Sequence, residues 1–401
     1  MARSSDSSSE RPGNPTAPVA ARVYLDYGGF SPIDPRVVAL MRPFLEGGVG
    51  NPAALHSHGL EARASLDGAR AKVARLVGGA PGGVIFTASA TEANNLAIKG
   101  VAQRARGRHL VVSSVEHVSI VNACRDLEKH GWSVTWLPVD ADGIVEPEHV
   151  ERALREDTAL LSVMAANGEV GALQSVRELG RLARRHGVPF HVDGVGAVGR
   201  LPLGVDECSI DLLALSSNDL CGPPGVGALW VRADLPLVPL VLGGGQEGGY
   251  RSGTENLPGI VGMGVAADLA RNERAGEVAR LVPLRDRLLD GLLERVEHAR
   301  VTGPRGPRRL PHHASVVVPG VKADAVLLEL DMRGIAASSG STCNLTTGEP
   351  SHVLRAIGCS PDEQEGSLCF TLGRWTTAAE VDAVLDILPG VVARLRRLAA
   401  R

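Results

Sequence analysis

Lysine is scarce in this sequence: of its 42 basic residues only Lys72, Lys99, Lys129 and Lys322 are lysines. Chemistry that needs a lysine amine therefore has very few candidates. No charge of one sign dominates, the formal net charge being -3, so nothing points to a nucleic acid or a membrane surface as partner. The six cysteines (Cys124, Cys208, Cys221, Cys343, Cys359, Cys369) form no CxxC pair and no metal-ligand spacing. That pattern argues against a disulfide framework or a zinc site and suits free thiols in a reducing compartment. Residues 1–20, rich in Ser, Pro and Arg, contain no apolar stretch of the kind a secretory signal needs, and no membrane-length apolar run follows. They read as a disordered tail, with the cytoplasm as the expected compartment. No internal repeat is present.

What the chain does have is length and alternation. Its 401 residues, 44% hydrophobic, suffice for one large domain and a smaller one. Short apolar runs at Val84–Thr87, Leu110–Ser113, Ser133–Leu137, Ala159–Met164, Pro189–Val192, Leu212–Leu215 and Gly227–Val231 alternate with helical spacing at Leu60–Val77, Thr91–Gln103 and Val176–His186. Nearly continuous apolar strands are expected where helices cover both faces of a sheet, so the spacing predicts an α/β domain with a mostly parallel central sheet over residues 38–265. Past about residue 265 long helices (Ala279–His298, Ala323–Met332, Ala378–Leu398) flank shorter strands at Ser315–Val318 and Leu368–Leu372. Residues 21–37 with 266–401 are expected to form a small α+β domain. Arg305–Arg309 and His312-His313 read as a solvated loop.

In an open parallel sheet, ligands bind beyond the carboxyl ends of the strands. There the sequence places Thr87–Glu92, whose N–H groups and Thr91 hydroxyl can cradle a phosphate or simply cap a helix. It also places Glu116-His117, where an imidazole can stack on a flat ring or lie at the surface, and Asn167. Asp193 follows, a carboxylate able either to pair with a protonated ring nitrogen or to cap a turn.

Taken in order, these segments resemble the motifs of the NifS/IscS-like cysteine desulfurases, members of the class V aminotransferase fold. The resemblance is carried by Tyr24–Tyr27, Gly50–Pro52, Thr91–Asn95, Glu116-His117, Asn167–Gly171, His191–Asp193, Gly222–Leu229, Arg251–Thr254, Ser338–Cys343 and Gly373–Thr377, covering nearly the whole folded chain. It implies a fold-type I, pyridoxal-phosphate-dependent transferase and a homodimer. It further implies that Thr91 binds cofactor phosphate, His117 stacks on the pyridine, Asn167 contacts the ring hydroxyl and Asp193 pairs with the ring nitrogen. Ser216 would add a phosphate contact and Thr254 one from the neighbouring subunit. Cys343 would take sulfur as a persulfide on a loop of the small domain. No metal is implied.

The resemblance breaks where the family's lysine bonds the cofactor. The family reads Ser-Gly-His-Lys there, whereas this chain reads Ser216-Ser217-Asn218-Asp219. A carboxylate cannot form an imine. Asn218 stands for a phosphate-binding histidine, Gly196 for a glutamine facing the ring, and Cys369 for an arginine that clamps the substrate carboxylate. The reading that follows is a cysteine desulfurase-like protein with a degenerate cofactor site, without covalent attachment. It would act in sulfur transfer through Cys343 with a sulfur-acceptor or desulfurase partner protein. Two alternatives stand beside it: an enzyme holding pyridoxal or pyridoxamine phosphate non-covalently with Asp219 as acid or base, and a genuine pyridoxal-phosphate-dependent desulfurase.

Overall fold

The structure, a computed structural model, describes residues 22–47, 50–340 and 350–400; the expected N-terminal tail and Cys343 lie outside the described residues. The larger core surrounds a seven-stranded sheet in the order β2–β8–β7–β6–β5–β3–β4. These strands are β2 (Val84–Thr87), β3 (His109–Ser113), β4 (Ser133–Leu137), β5 (Thr158–Ser162), β6 (Phe190–Asp193), β7 (Leu212–Ser216) and β8 (Gly227–Val231). β8 runs against both its neighbours and every other pairing is parallel, so the mostly parallel sheet expected from the apolar runs is present. Every residue of β3, β5 and β6 is buried, which explains why these strands read as continuous rather than alternating apolar runs.

One face of the sheet is covered by α1 (Pro35–Leu45), α2 (Ser57–Leu76), α6 (Val176–Arg185) and the start of α7 (Leu257–Arg295). The other carries α3 (Ala90–Ala102) and α4 (Val118–Lys129). A second core lies around the antiparallel strands β10 (His313–Val317) and β12 (Ser367–Thr371), packed under the far half of α7, α8 (Ala323–Asp331) and α11 (Ala378–Ala399). The first strand, β1 (Val23–Tyr24), pairs in parallel with Ile335–Ala336. No helix among the described residues is long and apolar enough to cross a membrane.

The sequence leads to a helix beginning at Ala279, but α7 begins 22 residues earlier, at Leu257. Its first half is glycine-rich, and glycine costs about 1 kcal/mol per helical position, so propensity argues against helix there. Packing outweighs propensity at this point. A Cβ at Gly264 would lie 2.7 Å from the Ala69 Cα on α2, and one at Gly262 would lie 2.6 Å from Met41 Sδ on α1. The glycines let three helices approach closely, and the apolar contact compensates for the poor propensity.

The Arg305–Arg309 and His312-His313 stretch is only in part the solvated loop expected: residues 305–308 are exposed, but the rest is not. Arg309, His312 and His313 are all at least 96% buried. Residues 308–310 lie against the turn that follows β5: Leu173 N donates to Arg308 O (2.9 Å) and Leu310 N to Gly171 O (2.8 Å). The Arg309 guanidinium donates to Pro304 O (2.6 Å) and to His313 O (3.2 Å), and also to Thr302 O. Backbone carbonyls, which a one-dimensional reading cannot place, solvate this charge.

Candidate functional site

The carboxyl ends of β3, β5, β6 and β7 open, with the N-terminus of α3, into a cavity of about 410 Å³ closed by residues of the second core. Thr91, His117, Asn167, Asp193, Ser216, Asn218 and Asp219 all line it, as do Gly196 and Cys369. Thr254 is exposed and stands apart from this chain's own cavity.

Asp193 ends β6 and is 4% exposed. Its Oδ1 accepts from Val195 N (3.0 Å) and its Oδ2 from Asn94 Nδ2 (2.8 Å). The same Asn94 amide donates to Ser119 Oγ (3.0 Å), which lies 2.8 Å from His117 Nδ1. Because Nδ1 also accepts from Ser119 N (3.2 Å), His117 caps α4 with its Nε2 edge left as the protonated one. One amide thus orients both the carboxylate and the imidazole.

Asn167 is engaged by its own turn. Its Oδ1 accepts from Glu169 N (2.8 Å) and Val170 N (3.0 Å), and its Nδ2 donates to Val115 O (2.9 Å). The second amide proton faces the Met164 thioether at 3.5 Å, a weak acceptor, and is the part of Asn167 free to meet a better one.

At the other end, α3 presents its first-turn N–H groups, with Ser89 as N-cap accepting from Glu92 N at 3.2 Å. Opposite lies the short turn Asn218–Leu220. The side-chain oxygens of Ser217 and Asn218 are buried there without a hydrogen-bond partner among the described residues. Burial pushes the Asp219 carboxyl up from its ordinary value, with Arg200 and a Ser216 hydrogen bond pulling it back. Arg200 Nη1 lies 3.9 Å from Asp219 Oδ1. None of the four lysines lines the cavity: Lys72 is on α2, Lys99 pairs with Asp126 at 2.8 Å, Lys129 ends α4 and Lys322 precedes α8.

The remaining walls carry groups that no motif singled out for chemistry. Burial holds the Glu116 carboxyl well above the usual range, while its Oε1 accepts from Met164 N at 2.6 Å. Burial likewise raises Glu169 to about 7, against a hydrogen bond from Ser351 Oγ (2.5 Å). Cys369 Sγ lies 3.2 Å from His313 Nε2. Burial sends that thiol to about 12 and the imidazole to about 3, so the pair is neutral near pH 7. A Cβ at Gly196 would stand 3.0 Å from Ala166 O, so a side chain there would press on that carbonyl by a few tenths of an ångström.

These residues fit the two ends of pyridoxal phosphate: a fixed, buried carboxylate for the pyridine nitrogen and a helix N-terminus with hydroxyls for the phosphate. Among the described residues no lysine amine lines the cavity. Among the described residues no cluster of three or more side chains could hold a metal ion.

The aminotransferase class-V profile matches residues 23–384. Among curated relatives, Cysteine desulfurase IscS 1 of Archaeoglobus fulgidus is 44% identical over 377 residues, covering 94% of this chain and 98% of that protein. A solved NifS-like protein superposes with a TM-score of 0.88 at 33% identity, over 94% of this chain and 100% of its own. SspA, solved in complex with cysteine, superposes with a TM-score of 0.78 at 33% identity, over 89% and 100% of the two chains.

Proposed function

The chain belongs to the aminotransferase class-V family and is cysteine desulfurase-like, and from that premise we propose that it is a sulfur-transfer enzyme holding pyridoxal phosphate by non-covalent contacts. In this reading the Cys343 thiolate attacks the sulfur of a cysteine-type substrate, forming the S–S bond of a persulfide as the substrate's carbon–sulfur bond breaks, and the bonding pair stays on that carbon, which takes up a proton. The observation that carries it is the frame around Asp193: the carboxylate, Asn94, Ser119 and His117 form one hydrogen-bonded chain along the wall of a ligand-sized cavity. Full-length likeness to proteins named cysteine desulfurase favours retained desulfurase-type activity over the degenerate site read from the sequence.

When bound, the cofactor supplies an electron sink for the substrate's α-carbon. The chain's own residues do the rest. Asp193, fixed by Asn94 and Val195, would meet the ring nitrogen, and His117 would lie against the ring. The first turn of α3, with Thr91 and Ser216, holds the phosphate. Asp219, its carboxyl raised by burial, accepts and returns the proton at the α-carbon through its Oδ atoms, the work that an amine would otherwise do. The apolar residues exposed on α1 (Val38, Leu40, Leu45), with Leu55 and Leu242, offer a face for a second copy, which would bring Thr254 to the neighbouring site.

One observation favours a second reading. Asp219 removes the amine, and a protein that only relays a persulfide made elsewhere needs none. Incubating the protein with L-cysteine, with and without pyridoxal phosphate, and assaying persulfide by mass separates the two. Cofactor-dependent sulfur on Cys343, absent from Cys343→Ser, supports the enzyme. Sulfur acquired only from a separate loaded desulfurase supports the relay.

A further inference from the structure

Arg200 lies seven residues beyond Asp193, on the cavity wall. Its side chain is 15% exposed, and its ion pair with Asp219, at 3.9 Å, is longer than a hydrogen bond. Among the described residues its guanidinium donates no hydrogen bond. Other well-buried arginines are different. Arg70 grips Glu247 through two nitrogens at 2.7 Å, Arg285 pairs with Asp286 at 2.7 Å, and Arg309 is held by three backbone carbonyls. Lining the cavity, its nitrogens stay open to the solvent there, so the fork of donors can be completed by an anion that enters.

Its surroundings say what that is. His312 and His313 also line the cavity, close enough that the Arg200 charge helps to hold both imidazoles neutral, burial being the larger cause. Beyond His313 lies the uncharged Cys369. His352 is held neutral by burial too, and His117 is engaged by Ser119. Arg200 is therefore the cation on this wall, beside Asp219 and the two histidines.

We propose that Arg200 binds the carboxylate of an amino-acid substrate, and that Asp219 is also a positioning residue that holds the guanidinium until that carboxylate takes it over. Identifying the ligand as an amino acid rests on the sulfur-transfer reading; the anion site itself does not. A substrate carboxylate can accept two parallel N–H bonds from the fork, which Asp219 at its present distance does not.

The test compares L-serine with ethanolamine, which differ by the carboxylate alone and lack a reactive thiol, by calorimetry on the full chain with and without pyridoxal phosphate. The wild type is expected to prefer L-serine by about 30-fold, the worth of one bidentate charged pair. Arg200→Met should collapse that ratio to within about 3-fold and Arg200→Lys should leave it in between, with unchanged melting temperatures confirming the fold. Asp219→Asn should tighten L-serine binding about 3-fold by releasing the guanidinium. Affinity for pyridoxal phosphate should stay within about 3-fold in Arg200→Met. No wild-type preference, a ratio unmoved in a folded Arg200→Met, or loss of cofactor affinity in its place would overturn the assignment. Failure of the wild type to retain pyridoxal phosphate would instead sink the enzyme reading, because the serine-to-ethanolamine ratio can be read without cofactor.

Discussion

Asn94 Nδ2 donates to Asp193 Oδ2 at 2.8 Å in the wall of the cavity, and the same amide reaches Ser119. Removing it leaves a buried carboxylate short of one donor, which costs about 1–3 kcal/mol. Asn94→Ala is therefore expected to unfold at lower denaturant and to lose affinity for pyridoxal phosphate. The His117 imidazole should also become more mobile by NMR. Unchanged cofactor affinity in a folded variant would mean that Asp193 needs no such support.

Glu169 gives the protein a pH dependence with a definite sign. Its folded carboxyl sits at about 7, above its ordinary value of 4.5, because burial disfavours the charge. The stability it contributes is fully present below pH 4.5 and is lost as pH rises towards 7. Glu169→Gln keeps a neutral group of the same shape. The fall in unfolding free energy between about pH 5 and 7.5 should thus be shallower in the variant, by at most about 3 kcal/mol. Parallel pH profiles for the two proteins would contradict this.

Glu247 ties the strand before α3 to α2. Its two oxygens accept from Arg70 at 2.7 Å each, and Oε2 also accepts from Phe86 N at 2.8 Å. Glu247 is 2% exposed at its side chain, so truncating it strands a buried guanidinium. Glu247→Ala is expected to destabilise the chain by about 3–5 kcal/mol in chemical denaturation. A loss below about 1 kcal/mol would show the pair to be solvated in practice.

The parts of the site legible in the sequence share a physical property. Thr91, His117, Asn167 and Asp193 each follow an apolar strand run, and strand ends on one edge of a parallel sheet must converge. Arg200 gave no such signal, because it follows Asp193 by a turn whose path no periodicity reveals. Arg309, His312 and His313 were hidden for a related reason. Their polarity suggests solvent, and their burial depends on the Gly171–Leu173 segment, more than 130 residues away, supplying backbone partners. The first half of α7 was missed because its glycines score poorly alone and make sense only against α2 and α1. In each case long-range contact overrode a local preference.

Whether this cavity holds pyridoxal phosphate without bonding it can be measured directly. The protein is loaded, freed of excess cofactor, reduced with borohydride, and weighed as the intact chain and as its peptides. Non-covalent binding predicts cofactor retained before reduction, released on denaturation, and no cofactor mass on Lys72, Lys99, Lys129 or Lys322. A reduced adduct on any of those lysines would contradict it.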